Sequence, residues 1–158
     1  MPTVAGERKR FRSRVVRYGP LIAWLAFIFY ASSAEFSANN TSLVIGPLLR
    51  WIFPGISDHS LATVHLITRK AAHFSEYGVL AVLAARGFSS SSKHLLSTAW
   101  FRWSLLLVVV CAVLDEFHQS FVPSRSASLY DSLMDIAGGL TLLVIYKIWK
   151  HRRQDRAN

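Results

Sequence analysis

The sequence predicts an all-α integral membrane protein, a four-helix bundle with both termini in the cytoplasm. Hydrophobic residues make up 52% of the 158 residues and mean hydropathy is +0.31, both high for a soluble domain. Four stretches approach the roughly 20 apolar residues that cross a bilayer core. The net charge of +9 comes mainly from basic residues near the two ends, as at cytoplasmic membrane edges. This distribution predicts no nucleic-acid partner.

The four predicted spans differ in how well each would insert alone. The second contains Arg69, Lys70, His73 and Glu76, and each charge at a helix centre costs about 2.5–3.5 kcal/mol on insertion scales. This span therefore needs polar partners in the other spans. The predicted division of the chain is a basic cytoplasmic tail at 1–17, a membrane domain at 18–149 with spans at 18–36, 61–87, 100–121 and 129–149, and a second basic tail at 150–158.

The connecting segments set the predicted orientation. Basic residues lie in both tails and in the loop "RGFSSSSKHLLSTAWFR", which places all three in the cytoplasm of a multi-pass inner-membrane protein. Segments 37–60 and 120–128 then face outward. The apolar part of the first, "LVIGPLLRWIFPGI", is interrupted by Gly and Pro and is expected at the outer interface. An alternative interpretation makes the first span a signal peptide cleaved near Ala34.

This orientation brings polar residues of every span to one depth. Spans two and four begin at the outer face, and spans one and three end there. Helical spacing places the polar residues of each span on one face, which should turn inward because charges facing lipid would be unpaired. The predicted polar layer contains Glu35, then Lys70, His73, Glu76 and Tyr77, then Asp115, Glu116, His118 and Gln119, and finally Arg125, Asp131 and Asp135.

Two stretches of this layer, "RKAAHFSEYGVLAVL" and "DEFHQSFVPSRSASLYDSLMDIAGG", resemble the VanZ-like family of small bacterial membrane proteins. The resemblance covers residues 68–139 and departs at Asp135, where the family often carries Asn. It implies a polytopic cell-envelope protein with a link to teicoplanin resistance, and no agreed chemistry. The matching residues are Lys70, His73 and Tyr77, then Glu116, Gln119 and Arg125, and then Asp131 before a Gly pair.

The leading functional hypothesis is an outer-leaflet pocket that binds an anionic or amphipathic envelope molecule. Candidate ligands are a membrane lipid, a lipid-linked wall precursor or a lipoglycopeptide. Lys70 and Arg125 would hold the anionic part, since basic side chains bind phosphate and carboxylate groups. The remaining expected ligand-binding residues are His73, Glu76, Tyr77, Asp115, Glu116, Gln119, Asp131 and Asp135.

Two other functions stay open on the sequence. A membrane enzyme acting on a lipid-linked substrate would use His73 or Glu116 as general base. A purely structural protein would use the nearly neutral charge network only to fix helix packing, and could form a homo-oligomer through Gly138 and Gly139. No metal or cofactor is expected, because Lys and Arg side chains compete for the carboxylates and no spacing matches a specific metal motif.

Overall fold

The computed structural model describes residues 4–32, 46–121 and 128–156, and within these the chain is helical without strands. This confirms the predicted all-α class for the described part of the chain. The six helices are α1 (Val4–Ala31), α2 (46–52), α3 (Asp58–Ser89), α4 (His94–Thr98), α5 (Trp100–Gln119) and α6 (Leu129–Asp155).

Serine side chains cap the N-termini of two of the long helices. The hydroxyl of Ser57 accepts a hydrogen bond from the Ser60 N–H at 3.1 Å, and that of Ser128 accepts one from the Tyr130 N–H at 3.2 Å. Such N-caps satisfy backbone donors that have no partner inside the helix. At 1.5 Å per residue, α3 and α6 are about 48 and 40 Å long, which exceeds a bilayer core of about 30 Å.

The first helix begins before the predicted first span. It begins at Val4, so the predicted basic tail at 1–17 is largely helical. Lys, Arg and Glu are good helix formers, and the helix of the apolar stretch can therefore continue backwards through them. The helix ends at Ala31, and the rest of the predicted span, to residue 36, extends beyond the described residues.

Among the described helices, α6 alone is long and apolar enough to cross a membrane on length and composition. In α1 the apolar part is short, because basic residues precede it and the helix ends at Ala31. Charged residues lower the hydropathy of the other two long helices, with Arg69, Lys70, Glu76 and Arg86 in α3 and Arg102, Asp115 and Glu116 in α5. The four-span topology with both termini inside stays a prediction.

Helix α3 packs against α1, α5 and α6, and its most extensive interface is with α6. Lys70, in the first half of α3, contacts Asp131 in the first turn of α6, and His73 contacts Asp135 one turn further along, so these two helices are parallel. The hydroxyl of Tyr77 donates to the Cys111 carbonyl at 3.2 Å, which joins α3 to α5.

Helix α1 runs antiparallel to α3. The Trp24 indole N–H donates to the Glu76 carbonyl at 3.0 Å, while the Tyr18 hydroxyl lies 2.9 Å from the Ser91 hydroxyl, near the other end of α3. Helix α5 is antiparallel to α6, since Trp100 at its start makes an edge-to-face contact with Tyr146 late in α6, with ring centres 5.8 Å apart. The start of α6 and the part of α3 around Lys70 therefore lie beside the ends of α1 and α5.

Close contact between α3 and α6 depends on glycine. A Cβ added at Gly138 would collide with the backbone carbonyl of Phe74, and one at Gly78 would lie 2.9 Å from the Leu142 Cγ. Gly138 and Gly139 are both buried. The small-residue surface predicted for helix contact is thus used inside the chain, against α3, which leaves it unavailable for the oligomer contact considered above.

Polar side chains occur among the buried residues of the described chain, while many large apolar side chains are exposed. The buried apolar residues include four alanines, at 81, 84, 85 and 112, and the buried set also contains polar side chains such as Gln119 and Asp135. Large apolar residues instead lie on the outside of every long helix. Examples are Ile22 and Phe29 in α1, Ile67 in α3, Val113 and Phe117 in α5, and Leu133 and Ile145 in α6.

Candidate functional site

A small cavity lies between α3 and α6 on the side where both helices begin. Its volume is about 130 Å³. On one side of it the Lys70 ammonium donates to Asp131 Oδ1 at 2.9 Å, and the Lys70 Nζ also lies 4.8 Å from the centre of the Tyr130 ring. Both partners of this ion pair keep about a quarter of their side chains exposed. The cavity is lined by Leu66, Arg69, Lys70, His73, Asp131 and Met134.

Arg69 lines the same cavity without a charge partner. Its guanidinium makes no hydrogen bond or ion pair with any side chain or backbone group of the described residues, although Asp131 lies across the cavity. A guanidinium carries five N–H donors in a planar fork that matches phosphate or carboxylate. The cavity therefore presents one paired and one unpaired cation.

A second polar group lies against the cavity wall, around His73. The His73 Nδ1 is 3.3 Å from Asp135 Oδ1, and Asp135 is fully buried. Asp115 of α5 approaches the same two residues, and one ligand-type atom from each of the three side chains lies within 4.8 Å of the others. Residues from three helices thus form one compact acid-imidazole cluster.

Gln119 ties this cluster to α1. Its side-chain amide donates to Asp115 Oδ2 at 2.8 Å and to the Ser32 hydroxyl at 3.3 Å, and all three side chains are buried. A buried amide that bonds two helices fixes the rotamer of the Asp115 carboxylate. The contact also shows that the end of α1 reaches the depth of the cluster.

Three of the expected site residues make contacts that position helices. Glu116 Oε2 accepts the backbone N–H of Ser128 at 2.6 Å, just before α6 begins. Tyr77 is fully buried and bonds the Cys111 carbonyl, while the backbone carbonyl of Glu76 accepts the Trp24 indole. None of the three side chains lines the cavity. Of the two proposed general bases, only His73 does.

The structure therefore divides the predicted polar layer into parts. Lys70, His73 and Asp131 line the cavity, and Asp115, Asp135 and Gln119 lie behind His73. Arg125, the other expected anion-holding residue, lies outside the described residues, as does Glu35.

Sequence reasoning counted Arg69 as a charge and did not place it among the ligand-binding residues. The available signal was its spacing, because Arg69 precedes His73 by four residues and so shares its helical face. Leu66 and Met134 also line the cavity, and no polar pattern marked them. Ser32 was missed as well, since nothing in its local sequence predicts a contact with Gln119.

The fold and site together define a class: an all-helical protein with an apolar exterior and a polar, partly ion-paired interior at one end. The chain belongs to the VanZ/LLP1 family, whose model matches residues 18–150. This match confirms the resemblance drawn from residues 68–139 and extends it over most of the chain. No curated protein and no solved structure matches the chain.

Proposed function

We propose that this VanZ/LLP1 protein spans the bacterial inner membrane four times and binds the anionic headgroup of an envelope lipid or lipid-linked precursor. The observation that carries the proposal is the unpaired Arg69 guanidinium beside the Lys70–Asp131 pair in the cavity. In this proposal, residues 18–149 form the membrane domain and basic tails flank it on the cytoplasmic side.

The apolar exterior supports the membrane location. Large side chains such as Ile22, Phe29 and Leu133 are 63–67% exposed, and a continuous apolar surface of this kind needs lipid or a partner to cover it. Small residues face inward, as is typical where membrane helices approach each other closely. So many exposed large apolar side chains around an interior with buried charged residues are difficult to explain for a protein in water.

The charges at the opposite end support the proposed orientation. There the ammonium of Lys150 lies 5.1 Å from the Trp100 ring centre, and the guanidinium of Arg153 lies 5.4 Å from that of Trp149. Trp and basic residues together are typical of a cytoplasmic membrane edge next to anionic lipid. The cavity, at the other end of the helices, would then open toward the outer leaflet.

The size of the cavity restricts the ligand. Its volume of about 130 Å³ is smaller than the roughly 300–1,000 Å³ of sites that hold drug-sized ligands. A phosphate or carboxylate headgroup fits this volume and a whole lipoglycopeptide does not. The rest of an amphipathic ligand would remain in lipid, against the exposed apolar faces of α3 and α6.

The charged side chains of the cavity further restrict the chemistry of the ligand. Lys70 is already neutralised by Asp131, so Arg69 supplies the net positive charge of the cavity. A guanidinium can bond two oxygens of a phosphate at once, and such charge-assisted bonds contribute about 1.5–3 kcal/mol. Arg125 is proposed as a second cation for the same ligand. A role in teicoplanin resistance would be a consequence of binding a wall precursor.

Arg69→Gln tests this proposal without breaking any contact that Arg69 makes with the described residues. The full-length protein is purified in mild detergent and titrated with short-chain phosphatidic acid, with binding measured by native mass spectrometry. We expect about ten- to hundredfold weaker binding, the loss of 1.5–3 kcal/mol at 1.4 kcal/mol per tenfold.

Arg102→Gln is the matched control, because Arg102 is exposed near the start of α5 and far from the cavity. It should bind the lipid as wild type does. Equal binding by the wild type and Arg69→Gln, or equal weakening in both variants, would show that the lipid is held elsewhere and overturn the assignment.

A further inference from the structure

Three side chains behind the cavity wall lie close enough together that they could hold one metal ion. The His73 Nδ1 and Asp135 Oδ1 atoms are 3.3 Å apart, and a carboxylate oxygen of Asp115 completes a group within 4.8 Å. Two ligands bound tetrahedrally at 2.0–2.1 Å lie about 3.3–3.4 Å apart. The His73–Asp135 pair thus already has the spacing of two ligands of one ion.

The Asp135 carboxylate gives an independent reason to expect a ligand there. It is 0% exposed, and neither of its oxygens accepts a hydrogen bond from the described residues. The neighbouring His73 Nδ1 is within ion-pair distance but is not aligned as a hydrogen-bond donor. Burying a carboxylate costs several kcal/mol unless a cation or hydrogen-bond donors compensate it.

No lysine or arginine of the described residues compensates the Asp135 carboxylate, and only a protonated His73 could do so within the described part of the chain. Lys70 is bonded to Asp131, one turn before Asp135 on α6, and no described Lys or Arg lies within 4.0 Å of the Asp115 or Asp135 oxygens. The carboxylates of Asp115 and Asp135 are therefore not occupied by the basic side chains that were expected to compete with a metal ion. A divalent cation would neutralise both of them while His73 remains uncharged.

We propose that His73, Asp115 and Asp135 bind one divalent transition-metal cation, Zn²⁺ or Mn²⁺. Imidazole favours Zn²⁺ and carboxylates favour Mn²⁺, so one imidazole with two carboxylates suits either ion better than Ca²⁺ or Mg²⁺. Three protein ligands leave a coordination position open, as in catalytic rather than structural zinc sites. Because His73 also lines the cavity, the ion lies at the cavity wall.

Gln119 acts as a positioning residue for this site. Its amide donates to Asp115 Oδ2, and hydrogen bonds of this kind hold a metal-binding carboxylate in its productive orientation. Loss of such an outer contact lowers metal affinity about 10–100-fold, and loss of a ligand itself should lower it further.

The test is a direct titration of the chelator-treated full-length protein in detergent with Zn²⁺ and, separately, Mn²⁺, in the presence of excess Mg²⁺. Stoichiometry is read by native mass spectrometry and affinity by competition with a chromophoric chelator. We expect one ion per chain, and a rise in the thermal unfolding temperature of the wild type on adding it, because a ligand that binds only the folded state stabilises it.

Asp135→Asn should lower the affinity more than about 100-fold and abolish the metal-dependent rise in unfolding temperature. The matched control is Asp131→Asn, the same chemical change one turn away on α6 in the Lys70 pair, which should retain one ion. If the wild-type protein does not bind one metal ion per chain, the proposal is overturned whatever the variants show. Equal binding by both variants overturns it as well, by showing that the ion lies elsewhere.

The metal titration is independent of the headgroup assay. Arg69 contributes no ligand to this cluster, so Arg69→Gln should bind the metal as wild type does. A failure of headgroup binding and a failure of metal binding can therefore be told apart.

Discussion

Glu116 joins two helices through a single charge-assisted contact. Its buried carboxylate accepts the Ser128 N–H at 2.6 Å, where the chain enters α6. A hydrogen bond to a charged group contributes about 1.5–3 kcal/mol, more than one between neutral groups. Glu116 does not line the cavity, and its contact with Ser128 connects the end of α5 to the start of α6, while its role as a general base stays a prediction.

Glu116→Ala removes this acceptor and should lower the free energy of unfolding by about 1.5–3 kcal/mol. Glu116→Gln keeps a neutral acceptor at the same place and should lose less. Thermal unfolding in detergent, compared at equal protein and lipid content, measures both. Wild-type stability in Glu116→Ala would mean that the contact with Ser128 does not hold the helices together.

Spacing along one helix was sufficient to predict which polar residues share a face. The prediction that Lys70 and His73 face inward, with Asp131 and Asp135 at the same level, agrees with their contacts. The sequence could not give the pairing itself. Whether Lys70 meets Asp131 or Asp135 depends on a shift of one helical turn between α3 and α6, which interhelix packing decides and side-chain periodicity does not.

At the scale of the helices, Gly138 sets the distance between α3 and α6. A methyl group there would meet the backbone carbonyl of Phe74, which cannot rotate away as a flexible side chain can. Helix α6 would have to shift, and the cluster around His73 would lose its spacing.

Gly138→Ala should therefore destabilise the fold by about 1–3 kcal/mol, the range measured for overpacked interiors. It should also weaken metal binding, although residue 138 carries no ligand. Gly19→Ala in α1 is the control, since a Cβ there meets only the Val15 side chain at 3.8 Å. That change should leave the stability equal or raise it slightly, because Ala favours helix more than Gly. Equal thermal unfolding temperatures for the two variants would contradict this interpretation of Gly138.

The helix positions were predictable where apolar runs have clear ends. Residues 61–87 and 129–149 lie inside α3 and α6, and the predicted third span differs from α5 by two residues. The sequence prediction did not include a helix in the basic tail, where α1 begins at Val4, because only apolar runs were used to place helices. The pattern of apolar residues does not predict where a helix of polar residues begins.

For the whole molecule, the direction of insertion is the main prediction to test. The single cysteine, Cys111, is replaced by Ser, and a new cysteine is introduced either at Gly55 or at Ser92. Both sites are exposed and lie near opposite ends of α3. In intact cells a membrane-impermeant maleimide should label the Gly55→Cys protein, and should label the Ser92→Cys protein only after the cells are permeabilised.

The Cys111→Ser protein without a new cysteine should stay unlabelled in both conditions. The reverse pattern would mean that the cavity opens toward the cytoplasm. Labelling of both sites in intact cells would contradict the proposed topology altogether.

The pairing of Lys70 with Asp131 also has a consequence for how the protein is made. The two residues are 61 positions apart, so at a synthesis rate of about 5–20 residues per second the partner of Lys70 appears some 3–12 s after Lys70 itself. During this interval the charged half of α3 has no counter-ion from α6. In the proposed four-span topology, the charged half of α3 would therefore be stable in the bilayer only after α6 has been made, late in translation.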